Sequence, residues 1–226
     1  MKTATLLATF VTILGCLAGI RIAAAENPVP IDEEPKHRLV FRNSHVRFFN
    51  VQIPPGYRSL MHVHHHDGVF VNIAPSETEA EDWGAATVRR PGRTPGETYF
   101  IGYASRPKAH RVSNVGADLY HVTDTEILQG CGARSLDEAM AGPLILENDR
   151  VRVTRIELPP GASTTLYGPC GMFVAVTAGE MTFAAPGGKE QVSFEAAGFK
   201  WRDGQEPMLI TNSGPGPIHA VDILVK

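Results

Sequence analysis

Four of the nine histidines of this 226-residue chain fall within five positions, His62, His64, His65 and His66, in the stretch "PPGYRSLMHVHHHDGVFV" (54–71). On a β-strand alternate side chains share a face, so His62, His64 and His66 point one way and His65 the other. Imidazoles two residues apart on a strand can share one metal ion, at about 2.0–2.1 Å from each nitrogen for zinc. A pocket needs a further ligand from a neighbouring strand, and His110 in "GYASRPKAHRVSN" is the candidate. Imidazole suits Fe(II), Mn(II), Ni(II), Cu(II) or Zn(II), and the ligand set does not choose among them. Three neutral ligands leave the full +2 charge on the ion and favour an anionic ligand beside it.

The elements around these histidines read as strands. "VRFFNVQI" (46–53) and "VRVTRIEL" (151–158) are rich in β-branched and aromatic residues, and Pro-Pro-Gly stops each. "GVFVNIA", "TYFIGYA", "LYHVTDTEIL", "MFVAVTAGEMTFAA" and "HAVDILV" continue the pattern. Short strands separated by turns predict an all-β chain of antiparallel sandwiches or barrels rather than βαβ units. "SETEAEDWGAATVRRPGRTPGE" (76–97) reads as a long loop, in which Arg89, Arg90 and Arg93 form a basic cluster. Only "SLDEAMA" (135–141) looks helical.

The chain contains its own duplicate. "NSHVRFFNVQIPPGYRSL" (43–60) aligns without gaps on "NDRVRVTRIELPPGASTT" (148–165), and Asn114, Gly116, His121 and Asp124 recur as Asn212, Gly214, His219 and Asp222. Carried on at the first offset, Val69 and Val71 match Val174 and Val176. His62 and His64 become Tyr167 and Pro169, and His65 and His66 become Cys170 and Gly171. At the second offset His110 becomes Met208. The framework persists where the histidines are lost, which argues that His62, His64 and His110 act together. His121, kept as His219, reads as scaffold, and His37, His45 and His65 read as ordinary core or surface histidines.

Gly56, five residues, then His62-x-His64 resembles the first motif of the cupin superfamily. Gly102, Pro107, His110, three residues and Asn114 resembles its second. The match covers both copies, so the chain resembles a two-domain cupin (bicupin) of tandem antiparallel β-barrels, the first metal-binding and the second degenerate. The resemblance implies one divalent transition metal held by His62, His64 and His110, with Asn114 behind them. The motif's glutamate falls at Gly68 or Val69 here, so His66 and Asp67 are the candidates for further metal or pocket residues.

The expected domains are a signal peptide (1–25), an extension (26–37), a first barrel (38–128), a linker (129–142) and a second barrel (143–226). Lys2, an apolar run from Leu6 to Ile20 and Ala23-Ala24-Ala25 have the layout of a secretory signal cleaved after Ala25. The run is too short for a membrane span, and the lipobox-like Ile13-Leu14-Gly15-Cys16 is a weaker alternative. Cleavage takes the net charge from −3 to −5 by removing Lys2 and Arg21. No basic stretch suggests nucleic acid as a partner. Cys131 and Cys170 then remain, and whether they pair is open.

The reading is a secreted or periplasmic metal-binding cupin, a metalloenzyme of dioxygenase-like oxidoreductase type acting on a small, anionic molecule. The alternatives are a periplasmic metal- or ligand-binding module without turnover, and an oxygen-independent cupin isomerase or lyase. A catalyst should keep acid–base groups inside the first barrel, with Tyr99, Tyr103 and His66 as candidates. Assembly as a homodimer is left open.

Overall fold

The computed structural model describes residues 27–132, 140–204 and 206–226. The expected signal peptide and most of the expected helix lie outside them. The described residues form nineteen strands and one short 3-10 helix, Ile31–Glu33. In the first half these are β1 (Val29–Pro30), β2 (His37–Arg42), β3 (Val46–Ile53), β4 (His62–His64), β5 (Asp67–Ala74), β6 (Thr78–Asp82), β7 (Val88–Arg90), β8 (Thr98–Ile101), β9 (Lys108–Asn114) and β10 (Tyr120–Ile127). In the second they are β11 (Leu144–Glu147), β12 (Val151–Leu158), β13 (Ser163–Leu166), β14 (Cys170–Ala175), β15 (Gly179–Ala185), β16 (Gly188–Phe194), β17 (Phe199–Asp203), β18 (Met208–Asn212) and β19 (Ile218–Val225).

Each half is a jelly roll of two facing sheets. The first has orders β2-β3-β10-β5-β8 and β1-β4-β9-β6-β7, the second β11-β12-β19-β14-β17 and β13-β18-β15-β16. The halves therefore repeat the same topology, with β1 added to the first by a parallel pairing to β4. This pairing builds the expected N-terminal extension into the barrel, where Ile31, Glu34 and His37 are buried. Both Pro-Pro-Gly turns place glycine at positive φ, 75° at Gly56 and 76° at Gly161, and both glycine N–H groups donate to the carbonyl of the matched asparagine, Asn114 or Asn212. Only glycine adopts that backbone without strain.

Period-two alternation sorts the core. On β3, Val46 and Phe48 face the other half, while Phe49, Val51 and Ile53 face the barrel interior. On β12, Val151 and Val153 meet them, while Ile156 and Leu158 turn inward. The shared face is reinforced by Phe48 against Phe199, ring centroids 4.6 Å apart, by Arg150 on Asp67 at 3.2 Å, and by a disulfide between Cys131 and Cys170.

Two expectations on the strands are corrected. The long loop 76–97 holds β6 and β7, and β6 pairs with β9. Its sequence "TEAED" has little intrinsic strand preference; Thr78 and Ala80 are buried while Glu79 and Glu81 are partly exposed, so tertiary pairing makes it a strand. "MFVAVTAGEMTFAA" is two strands, β14 and β15, broken at residues 176–178.

The register of the repeat is corrected as well. His62 stands opposite His110, and Leu166 opposite Met208, so Leu166 rather than Tyr167 is the counterpart of His62. On the next strand Val71 pairs with Thr123 as Val174 pairs with Val221, so the counterpart of Val71 is Val174 rather than Val176. The offset thus falls from 105 at the Pro-Pro-Gly turn to 103 on β5. The first copy is longer within the histidine segment itself.

Candidate metal centre

β4 is three residues long and lies between β1 and β9, with His62 directly across from His110. Alternation turns His62 and His64 into the barrel, at 0% and 1% exposure, and leaves His65 exposed. The three imidazoles converge: ring centroids are 4.8 Å apart for His62 and His110, 5.0 Å for His64 and His110, and 5.2 Å for His62 and His64. One ring nitrogen from each lies within 4.8 Å of the others.

The protonation states suit a cation. His62 Nδ1 donates to the Leu60 carbonyl at 2.9 Å, so Nε2 keeps its lone pair, and that buried atom has no hydrogen-bond partner. Both nitrogens of His64 are buried without a hydrogen-bond partner. Burial, then the charge of His37, pushes His62 down to about 3. Burial and neighbouring histidines hold His64 and His110 well below the usual imidazole range. Near neutral pH all three are therefore neutral. Buried imidazole nitrogens without partners are costly, and a shared divalent ion at zinc-like distances answers them.

The structure adds residues that sequence reasoning passed over. The His37 ring lies 4.2 Å from His62, and its Nδ1 is 2.6 Å from Glu34 Oε2. Glu34 is 1% exposed and also accepts from the Lys36 N–H at 2.7 Å. Burial pushes this carboxyl up, but its bonds to His37 and the Lys36 backbone outweigh that and hold it below the usual range. A signal did exist, since His37 falls opposite Gly142 in the repeat; His45 falls opposite Arg150 by the same test and faces away, so the test alone could not single out His37.

His37, His64 and His110 line a cavity of about 130 Å³, with Phe70, Tyr99, Tyr103 and Tyr120 on its walls and Arg90, Arg93 and Lys108 around it. Tyr103 stacks on His64 at 4.6 Å between centroids. Burial raises the Tyr99 and Tyr103 phenols far above their usual range, so both stay protonated donors. Of the loop arginines, Arg89 is paired with Glu77 and Arg93 with Glu97. Arg90 is exposed and pairs with no carboxylate among the described residues.

Three other expected residues stand elsewhere. Asp67 accepts from the Ala104 N–H at 2.9 Å and pairs with Arg150 at 3.2 Å, so its carboxylate joins the two halves instead of facing the trio. His66 is partly buried beside Arg47 and Arg150, outside the cavity lining; burial first, then Arg47, lowers its pKa. Asn114 donates to the Ile53 and Asp118 carbonyls at 2.8 and 2.7 Å, as Asn212 does to Leu158 and Gly216, both at 2.8 Å. An asparagine with the same bonds where the histidines are gone holds the turn, not the ligands.

His121 also lies away from the trio, with Nε2 donating to Asn50 Oδ1 at 2.8 Å. Burial pushes it down to about 4. The unfolded chain, with an ordinary value near 6.5, then binds more protons than the folded one between pH 6.5 and 4, so stability falls as pH drops through that window. Between pH 7 and pH 4 the wild type should lose about 3 kcal/mol more than His121→Gln in urea unfolding, at 1.36 kcal/mol per pK unit. Equal losses would contradict this.

No protein-family model matches the sequence, and no curated protein matches it. Solved structures do resemble the fold. AerE from Microcystis aeruginosa superposes with a TM-score of 0.59 at 14% identity, over 85% of this chain and 98% of that one. Oxalate decarboxylase from Bacillus subtilis, described for its Mn(II) centres, gives 0.54 at 9% identity, over 80% and 69%. A cupin 2 conserved barrel domain protein from Leptotrichia buccalis gives 0.50 at 10%, over 83% and 87%. The chain has the cupin fold.

Proposed function

We propose that this protein is a metal-dependent cupin enzyme whose first barrel holds one divalent ion on His62, His64 and His110 and takes a small anionic substrate in the adjoining cavity. The observation that carries the reading is the convergence of three neutral imidazoles, with buried, unpartnered nitrogens on His62 and His64, beside a cavity that His64 and His110 line. A protein that only sequesters metal has no use for that cavity. At about 130 Å³ the space equals roughly four water molecules, the scale of a small carboxylate, enolate or thiolate.

The chain's own residues divide the work. His62, His64 and His110 hold the ion, which when bound supplies Lewis acidity or redox chemistry. Tyr99 and Tyr103 offer neutral phenol donors to an anion, with Tyr120 beside them on the cavity wall. His37, held by Glu34, is the acid–base group at the edge of the trio. Phe70, Val51 and Val122 keep the cavity apolar behind the polar groups. Arg90 draws anions to the entrance. Dioxygenase-like chemistry is the reaction class this arrangement supports: His62, His64 and His110 would hold the ion, and the adjoining cavity would take the substrate. Export is part of the reading, supported by the N-terminal signal pattern and by the Cys131–Cys170 disulfide, a bond of oxidising compartments.

The test is a screen of the metal-loaded protein against small carboxylates, enolates and thiolates, by calorimetry and an oxygen electrode. The account expects metal-dependent binding, and oxygen uptake that chelation abolishes. A metal-loaded protein that binds no small anion and consumes none would favour the sequestering module instead.

A further inference from the structure

β10 sends two carboxylates into the first barrel, Asp124 and Glu126, both 0% exposed. Glu126 is answered by Arg47, whose Nε donates to Oε2 at 2.7 Å. Asp124 is answered by nothing: neither oxygen has a hydrogen-bond partner, and His64 Nδ1 stands 3.6 Å from Oδ2. A buried carboxylate without a partner is among the most costly groups a fold can keep.

The second barrel shows what the same position does without histidines. Asp222, the counterpart of Asp124, takes both terminal nitrogens of Arg202, with Nη2 at 2.9 Å from Oδ2. Arg202 pairs across from Gly171, and the residue across from Gly68 is Ile101. The first barrel thus keeps the carboxylate and omits the arginine. A Cβ added at Gly68 would fall 2.8 Å from Asp124 Oδ1. The side-chain space at Gly68, where a glutamate ligand would start, is filled by the Asp124 carboxylate reaching over from β10.

Building on the metal reading above, we infer that Asp124 is a positioning residue of the centre: it accepts the Nδ1–H of His64, turns Nε2 toward the ion, and supplies the negative charge that three neutral imidazoles lack. The two partly formed groupings, His62 with His64 and His110, and His64 with Asp124 and Glu126, then meet at one residue. His64 joins them through its two nitrogens.

The experiment measures the Co2+ dissociation constant by chelator competition for wild type, Asp124→Asn and Ile101→Arg, together with thermal unfolding of each metal-free protein. Asp124→Asn keeps an acceptor and loses the charge; Ile101→Arg answers the charge as Arg202 does. Each should weaken Co2+ binding by about 10- to 100-fold, and metal-free Asp124→Asn should unfold at the wild-type temperature or above it. Unchanged affinity in Asp124→Asn, with wild type binding Co2+, would overturn the inference and spare the metal site. A weakened affinity with a lower unfolding temperature would make Asp124 structural and also overturn it. Failure of the wild type to bind Co2+ would remove the metal site itself.

Discussion

Replacing His62 by Leu and His110 by Met together should abolish metal binding and leave the fold standing. The second barrel has already made this exchange. Leu166 faces Met208 in the register that His62 and His110 hold, Leu166 is 1% exposed, and both belong to an apolar core. The first barrel can therefore accept the pair in the same sheet position. Two of three ligands are lost, and a single imidazole cannot hold a divalent ion against water. Metal content should fall from about one ion per chain to less than roughly a tenth of that. The metal-free variant should be at least as stable as the metal-free wild type, since one buried and one half-buried imidazole are replaced by apolar groups of similar volume. Metal retained in the double variant would place the ion elsewhere.

The second large effect belongs to the barrel without histidines. Arg202→Met should destabilise the protein by about 3–5 kcal/mol, because it strands Asp222 as an uncompensated buried charge. Asp222 and Arg202 are 4% and 6% exposed. Burial already pushes the Asp222 carboxyl up, against the pull of Arg202, so losing the guanidinium leaves the desolvation cost unopposed. Adding Asp222→Leu to Arg202→Met should recover most of the loss, since replacing both members of a buried pair by apolar groups is often neutral. Denaturant titration of the two variants checks this. An equal loss in both would mean that the pair's packing, not its charge, matters.

Much of this architecture can be read from the residues. "VRFFNVQI" and "VRVTRIEL" coincide with β3 and β12 because apolar alternation and a Pro-Pro-Gly stop mark both ends. The convergence of His62 and His64 follows from strand alternation, and that of His110 from a motif spacing that places its strand alongside. What stayed hidden depends on partners distant in sequence. β6 is a strand because β9 makes it one. His37 reaches the centre because β1 joins β4 in parallel and draws residues 29–37 inside. The slip of the repeat inside the histidine segment shows only in the ladder pairing, since the gap-free match ends at residue 60.

Asp124 was concealed by its own identity. It matches Asp222, and a residue kept in both copies reads as scaffold, yet the surroundings differ: an arginine bonded to the carboxylate in one barrel, a histidine 3.6 Å from it in the other. Sequence identity between copies does not imply identity of environment. Asp67 errs the other way, being adjacent to the histidines in sequence but turned toward Arg150 by the strand that carries it.

The central claim is that one ion sits among His62, His64 and His110. Anomalous diffraction from crystals of the Co2+-loaded protein, collected at the cobalt edge, tests it most directly. The account predicts a single strong peak at about 2.0–2.2 Å from one nitrogen of each imidazole, with His64 Nδ1 drawn onto Asp124. A peak elsewhere, or none at the trio under saturating Co2+, would contradict it.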